Sequence, residues 1–245
     1  MRRQFNELMR QSLKEFSIHL SERQEEQFYQ YYQLLQEWNK VMNLTAITEM
    51  EQVVAKHFVD SLALVKVISK EEINEGEIID LGTGAGFPGV PLKIAFPDSK
   101  ITLLDSLNKR IKFLEEVINK LELKGIYTVH GRAEDYGRKE DYREKFGLCV
   151  SRAVANLATL SEYCIPFVKI GGQFISYKSE NIQEEVHQAE KAVKLLGGSL
   201  EDVVQFALPD SDMKRTFIKI RKIEGTAKRY PRKAGLPGKE PLGIH

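Results

Sequence analysis

The sequence predicts an α/β fold: a doubly wound, mostly parallel sheet with an antiparallel edge hairpin, plus an N-terminal helical cap. Three observations carry this. From residue 77 onward short apolar runs alternate with helix-length amphipathic stretches, the pattern of βα units whose strands pair in parallel. That alternation stops late in the chain, where the apolar runs 203–206 and 216–220 follow each other with no helix-length segment between them, as antiparallel neighbours do. Before residue 70 the periodicities are helical.

A chain of 245 residues is long enough to bury a sizeable core. The expected division is a cap over 1–70, a core over 71–223 and a Gly/Pro-rich basic tail over 224–245. Lys and Arg total 36 against 35 Asp and Glu, so bulk charge gives no sign of a nucleic-acid partner. No apolar run approaches the length of a membrane span, and the polar N-terminus lacks a signal-peptide core. Cys149 falls in an apolar strand and Cys164 on a helix, with neither metal-ligand nor redox spacing. Buried thiols of a cytoplasmic monomer are expected, with no metal and no membrane contact.

In the cap, Phe5, Leu8, Met9, Leu13 and Phe16 recur at helical spacing. Ser21 suits the N-cap of a second helix whose stripe is Phe28, Tyr31, Tyr32, Leu35 and Trp38, aromatics read as core. An irregular stretch over 42–47 leads to a third helical region near 50–68 with His57, Asp60 and Ser61, the histidine read as structural ahead of a pocket role. Strands are expected at 77–80, 101–105, 126–129, 148–150 and 172–177, with helices over 107–122 and 181–196. The tail carries Lys228, Arg229, Arg232, Lys233 and Lys239. It reads either as a solvated terminus or as a flexible arm meeting phosphate.

The stretch from Glu77 to Gly89 organises the rest. A strand delivers Asp80, and Gly82, Gly84 and Gly86 then let the chain turn sharply and a ligand lie against the backbone. Pro88 opens a helix whose free N–H groups point at that ligand. Read from Gly84, the letters fit a dinucleotide fingerprint that grips pyrophosphate. Read from Asp80, they fit the acid-first glycine pattern that holds S-adenosylmethionine (SAM). An acid at the loop mouth repels pyrophosphate and attracts the ammonium of SAM, so the second reading is preferred. The alternatives are an NAD(P)-dependent oxidoreductase and a SAM-binding regulator without turnover.

In a doubly wound sheet, ligands sit beyond the carboxyl ends of the strands where strand order reverses. Asp80 and its glycines are expected to hold the amino-acid half of SAM. Asp105, 25 residues on, ends the next strand, where a carboxylate accepts both ribose hydroxyls or else caps the following helix. Ala133 and Glu134 follow the third strand, where a backbone N–H reads adenine. Arg152 follows the fourth, at the border of cofactor and substrate, either in direct contact or paired with an acid. The fourth-strand run Ser151-Arg-Ala-Val154 lacks the Asn/Asp-Pro-Pro-aromatic signature of exocyclic-amine methylation. Neither cysteine sits in the Pro-Cys or Thr-Cys context of pyrimidine carbon-5 chemistry. What remains includes nucleophiles with a free lone pair, such as a guanine ring nitrogen, which need no general base.

Longer motifs carry a resemblance. Asp80-Leu-Gly-Thr-Gly-Ala-Gly-Phe-Pro-Gly-Val-Pro-Leu92, Leu103-Leu-Asp-Ser-Leu-Asn-Lys-Arg110, Gly131-Arg-Ala-Glu134 and Ser151-Arg-Ala153 are similar to the small-subunit ribosomal RNA guanine-7 methyltransferase family, also called glucose-inhibited division protein B. Met42-Asn-Leu-Thr45, His57-Phe-Val-Asp-Ser61 and Tyr230-Pro-Arg-Lys-Ala234 extend the match over nearly the whole chain. The resemblance implies a Rossmann-like class I SAM-methyltransferase fold. It implies methylation of ring nitrogen 7 of a guanine in the 530 loop of bacterial 16S rRNA, on the free RNA, the small ribosomal subunit or an assembly intermediate. It also implies SAM contacts at Gly82, Phe87, Ala133, Glu134 and Arg152. Lys178 and Arg215 match basic positions of an RNA-facing surface, and no residue is singled out as a catalytic acid or base.

Overall fold

Seven strands form a single sheet in the order β3-β2-β1-β4-β5-β7-β6. They are β1 (Glu77–Leu81), β2 (Lys100–Asp105), β3 (Ile126–His130), β4 (Phe146–Ser151), β5 (Val168–Lys178), β6 (Gly198–Ala207) and β7 (Lys214–Lys222). The arrangement comes from a computed structural model, which describes residues 1–152, 155–180 and 182–243. Ala153 and Val154 of the fourth-strand motif, Asn181 at the start of the expected 181–196 helix, and the last two tail residues lie outside the described residues.

The first five strands pair in parallel, and β7 runs antiparallel to both β5 and β6, in register from Gln173↔Arg221 to Lys178↔Thr216 on the β5 side. The expected edge hairpin is therefore present, and β7 inserts between β5 and β6. The chain winds outward through β1, β2 and β3, then crosses back to β4, so strand order reverses between β1 and β4. A crevice opens there beyond the carboxyl ends.

Successive strand residues face opposite sides, and the two faces have separate cores. Ile78, Leu103, Leu148 and Ile175 join a cluster with the cap residues Phe5, Met9, Phe28, Tyr31, Leu35 and Phe58. Their neighbours Ile79, Leu104, Cys149 and Phe174 pack on the other face against Leu157, Leu160, Cys164, Ala189 and Val193. The near-continuous apolar runs of the parallel strands are the sequence trace of this double burial. The helix Leu157–Cys164, capped by the Asn156 side chain on Thr159 N at 2.9 Å, is the one that carries Cys164, for which the sequence reading gives no bounds.

In the cap, Ser21 opens the helix Glu22–Met42 with a reciprocal box: Gln24 N donates to Ser21 Oγ (3.3 Å) and Ser21 N to Gln24 Oε1 (2.8 Å). Gln24 Nε2 also donates to Ile94 O at 2.8 Å, tying the cap to the helix after the glycine loop. The third helical region is interrupted: Met50–Val53 and Asp60–Leu62 flank a π-helical turn, Val54–Val59, and a 3-10 turn Ala63–Lys66 follows. Such single π-helical turns recur at functional sites.

The tail is not a flexible arm. Tyr230 is buried, and Arg143 donates to Tyr230 O at 2.8 Å while Arg138 donates to Pro231 O at 2.6 Å. Arg232 forms a forked ion pair with Glu162, a carboxylate with no exposed surface. Gly and Pro composition suggests mobility, but arginines from the core satisfy the backbone carbonyls here, and Lys228, Arg229, Lys233 and Lys239 stay on the outer surface.

Candidate active site

A cavity of about 610 Å³ occupies the crevice between β1 and β4. Of the residues predicted to bind the cofactor, Gly82, Gly84, Phe87, Asp105, Ala133, Glu134 and Arg152 all line it. Asp80 does not, which corrects the expectation of a direct contact with the ligand's ammonium. Its carboxylate is fully buried and turned back under the loop: Oδ2 accepts from Thr83 Oγ1 at 2.7 Å and from Gly89 N at 2.8 Å.

That geometry separates the two ligand readings. Gly89 N is the leading amide of the helix Gly89–Ala95. A pyrophosphate grip needs such amides free, and here the chain's own carboxylate holds it. The negative charge under the loop opposes an anion and favours a cation. Asp80 Oδ1 is buried without a partner among the described residues. Burial pushes this carboxyl up to about 6, against the hydrogen bonds from Thr83 and Gly89.

Two glycines of the loop have different reasons to be glycine. Gly84 has φ +62°, and a Cβ there would meet only Gly82 O, at 4.0 Å, so its open side is the cavity. Gly86, at φ +97°, would drive a Cβ to 2.6 Å from the Tyr31 hydroxyl and 2.7 Å from Val90 Cγ2. One clears room for a ligand, the other for the cap helix.

Asp105 at the end of β2 accepts from Gly84 N (2.9 Å), Leu107 N (2.9 Å) and Arg110 Nη1 (3.2 Å). A carboxylate has about four acceptor sites, so it steadies both the glycine loop and the next turn and keeps capacity for a ligand hydroxyl. Glu134 Oε1 accepts from Gly235 N at 2.8 Å, and Gly235 itself lines the cavity. The tail thus closes one wall, which the sequence reading misses because 101 residues separate the partners.

The opposite wall is built from the cap. Arg152 Nη1 donates to Asp60 Oδ2 and to Lys56 O, both at 2.9 Å, and its guanidinium lies 5.0 Å from the Phe87 ring centre. Of the two readings of Arg152, the pairing with an acid is present, and the side chain also lines the cavity. Lys56 O belongs to the π-helical turn. Arg152 Nη2 lies 3.3 Å from His57 Nδ1. An arginine only donates, so Nδ1 accepts and Nε2 carries the hydrogen, donated to Thr45 Oγ1 at 2.9 Å. The imidazole stacks on Phe87 with 4.5 Å between centres. Burial and the neighbouring Arg152 charge hold its pKa down to about 3, so it is neutral at physiological pH.

Asp60 also accepts from Arg215 Nε at 2.9 Å. Lys178 donates to Ala155 O and to Glu185 Oε1, both at 2.7 Å. Both cations line a second cavity of about 570 Å³ that shares His57 and Arg152 with the first. Thr45, His57 and Asp60 are site residues that sequence reasoning does not assign. For His57 and Asp60 the signal was polar side chains spaced through an otherwise apolar helical stretch; Thr45 lies in the irregular segment before it.

A family model described as rRNA small subunit methyltransferase G matches residues 24–215. The chain belongs to this family. It is 57% identical over 233 residues to the ribosomal RNA small subunit methyltransferase G of Lachnoclostridium phytofermentans, covering 95% of each chain. It is 52% identical to that of Acetivibrio thermocellus, covering 93% of this chain and 92% of the relative. Among solved structures, a mutant of MtNAS superposes with a TM-score of 0.53 at 14% identity, covering 79% of this chain and 71% of that one. Pyrococcus horikoshii TYW2 in complex with MeSAdo gives 0.51 at 13% identity, covering 66% and 61%. These likenesses show the Rossmann-like methyltransferase fold. The protein is a methyltransferase of this family, SAM is its cofactor, and the oxidoreductase and regulator alternatives are not favoured. No helix among the described residues is long and apolar enough to cross a membrane.

Proposed function

We propose that the protein methylates ring nitrogen 7 of a guanine in the 530 loop of bacterial 16S rRNA, acting as a cytoplasmic monomer on the rRNA or an assembling small subunit. The observation that supports this best is the meeting of two cavities at Arg152 and His57: an acid-backed glycine loop on one side, a groove lined by paired cations on the other.

In this reading Gly82 and Gly84 admit the amino-acid end of SAM, Asp105 accepts ribose hydroxyls, and Ala133 and Glu134 border the adenine. Phe87 and Arg152 stand at the border with the substrate. Bound SAM supplies an electrophilic methyl group. Guanine nitrogen 7 has an in-plane lone pair and no proton to remove, so the chain needs to provide placement rather than a base, an effect that contributes ~7–11 kcal/mol in favourable cases. His57, held neutral, adds no charge beside a base that is becoming cationic. Asp60 offsets the charges of Arg152 and Arg215.

Methyl-labelled SAM, incubated with 16S rRNA and with small subunits from cells lacking the modification, provides the test. Label on a single guanine of the 530 loop is expected. Labelling elsewhere, or none on either substrate, overturns the proposal.

A further inference from the structure

Lys178 and Glu185 form an ion pair at 2.7 Å on the wall of the second cavity, with side chains 9% and 26% exposed. Lys178 sits at the end of β5 and Glu185 in the first turn of the helix Gln183–Leu195. Two of the three ammonium hydrogens are engaged, by Ala155 O and Glu185 Oε1. Ala155 itself borders the cofactor cavity, so the pair stands one hydrogen bond from that cavity. Among the described residues Glu185 Oε2 takes no hydrogen bond. Each partner thus keeps polar capacity beside a cavity whose other walls include the apolar side chains of Ile47 and Ile182.

We propose that this pair reads the target base, with Lys178 donating to guanine O6 and Glu185 accepting from N1–H and the 2-amino group. The inference rests on the guanine-N7 reading above. Guanine presents N7, O6, N1–H and the 2-amino group in sequence around its edge. With N7 turned toward Arg152 and the cofactor cavity, O6 is the next atom round and the two donors follow. An ammonium next to a carboxylate matches that acceptor-then-donor order. Adenine reverses it: its 6-amino group would face the Lys178 ammonium and its bare N1 the Glu185 carboxylate, leaving buried polar groups unpaired.

The same contact strengthens during reaction. As N7 uses its lone pair to form the new carbon bond, the carbon–sulfur bonding pair returns to sulfur and positive charge passes to the base. N1–H and the 2-amino hydrogens then become more acidic. A carboxylate accepting them binds the transition state more tightly than the ground state, which raises kcat. No proton needs to leave the base in this step.

The experiment uses the full chain and 16S rRNA carrying guanosine or inosine at the target position, since inosine keeps N7, O6 and N1–H but lacks the 2-amino group. The wild type is expected to favour guanosine by ~10-fold, and Glu185→Gln to lose ~10–100-fold in kcat/KM on guanosine and ~10-fold less than that on inosine, which offers only the N1–H contact, collapsing the ratio toward one. Glu185→Asp should restore part of the ratio, and SAM affinity by calorimetry should stay within about twofold for all three proteins, because the pair lies outside the cofactor cavity. An unchanged guanosine-to-inosine ratio in Glu185→Gln overturns the base-reading role, as does an equal loss on both substrates accompanied by weakened SAM binding. If the wild type binds SAM yet methylates neither RNA, the N7 reading has failed, and this inference falls with it.

Discussion

The two walls of the cofactor cavity are held together over very different stretches of chain. On the glycine-loop side, the bonds that shape the site join Thr83 to Asp80, Gly89 to Asp80 and Gly84 to Asp105, across 3, 9 and 21 residues. On the substrate side, Asp60 joins Arg152 and Arg215 across 92 and 155 residues; at the far end of the cofactor cavity Gly235 reaches Glu134 across 101. The first wall is a local motif that forms wherever its strand, turn and helix form. The second exists only once the cap and the sheet edge have docked. Cofactor binding and substrate handling should accordingly fail separately.

Asp60→Ala should show this most strongly. It leaves two partly buried arginines, 19% and 22% exposed, without their shared carboxylate. Losing one partner of a buried charged network is far more damaging than losing a surface pair. RNA methylation at saturating SAM should fall by ~100-fold or more, while SAM affinity, followed by calorimetry, falls much less. Equal losses would mean that the two walls are not separable.

Arg232→Ala should come next. It strips the paired cation from Glu162, which has no exposed surface, and breaking such a pair destabilises by ~3–5 kcal/mol. A lower urea midpoint is expected together with weaker SAM binding, because Gly235 would no longer be held against Glu134. Unchanged SAM affinity in the destabilised protein would remove the tail from the site.

Asp80→Asn tests the local wall. Its bonds to Thr83 and Gly89 lose their charge, at a cost of ~1.5–3 kcal/mol to the loop, and with no negative charge under that loop SAM affinity should drop several-fold or more, with the groove and tail intact by hydrogen exchange. Retained affinity would show that the charge under the loop is irrelevant to ligand choice.

The smallest effect is on pH. The Asp80 carboxyl is raised from 3.8 to about 6, so in the ligand-free protein its contribution to stability is full below 3.8 and is lost as pH rises through 6. A cationic ligand favours the ionised form, so SAM affinity should rise with pH toward 6 and level off above it, by at most ~10-fold per unit. His57 behaves oppositely: lowered from 6.5 to about 3, its contribution is present above 6.5 and lost as pH falls toward 3. Bound in the folded protein it stays neutral across pH 5–7, so it does not distort that binding curve. A flat affinity profile from pH 5 to 7 would contradict the Asp80 assignment.

The same division explains what was legible beforehand. Strand positions, the edge hairpin and the capping box at Ser21 follow from periodicity and side-chain chemistry within a few residues. So do Gly82, Gly84, Asp105, Ala133 and Glu134, each at or just beyond a strand end; Phe87 came from the family resemblance alone. The direction in which Asp80 points was not legible, because a strand-terminal acid faces a ligand or its own loop with equal local propriety. Nor was the fate of the tail, whose Gly/Pro-rich letters carry no trace of the arginines that receive its carbonyls.

By itself, the order of residues determined that a parallel sheet would present a glycine turn backed by an acid, since period and turn chemistry act over distances the local chain spans. Only folding decided that Asp60 would gather two arginines, that His57 would be buried and neutral, and that Gly235 would complete a wall. Those contacts join segments roughly a hundred residues apart, and their energies depend on desolvation that exists only after the cap and tail have packed.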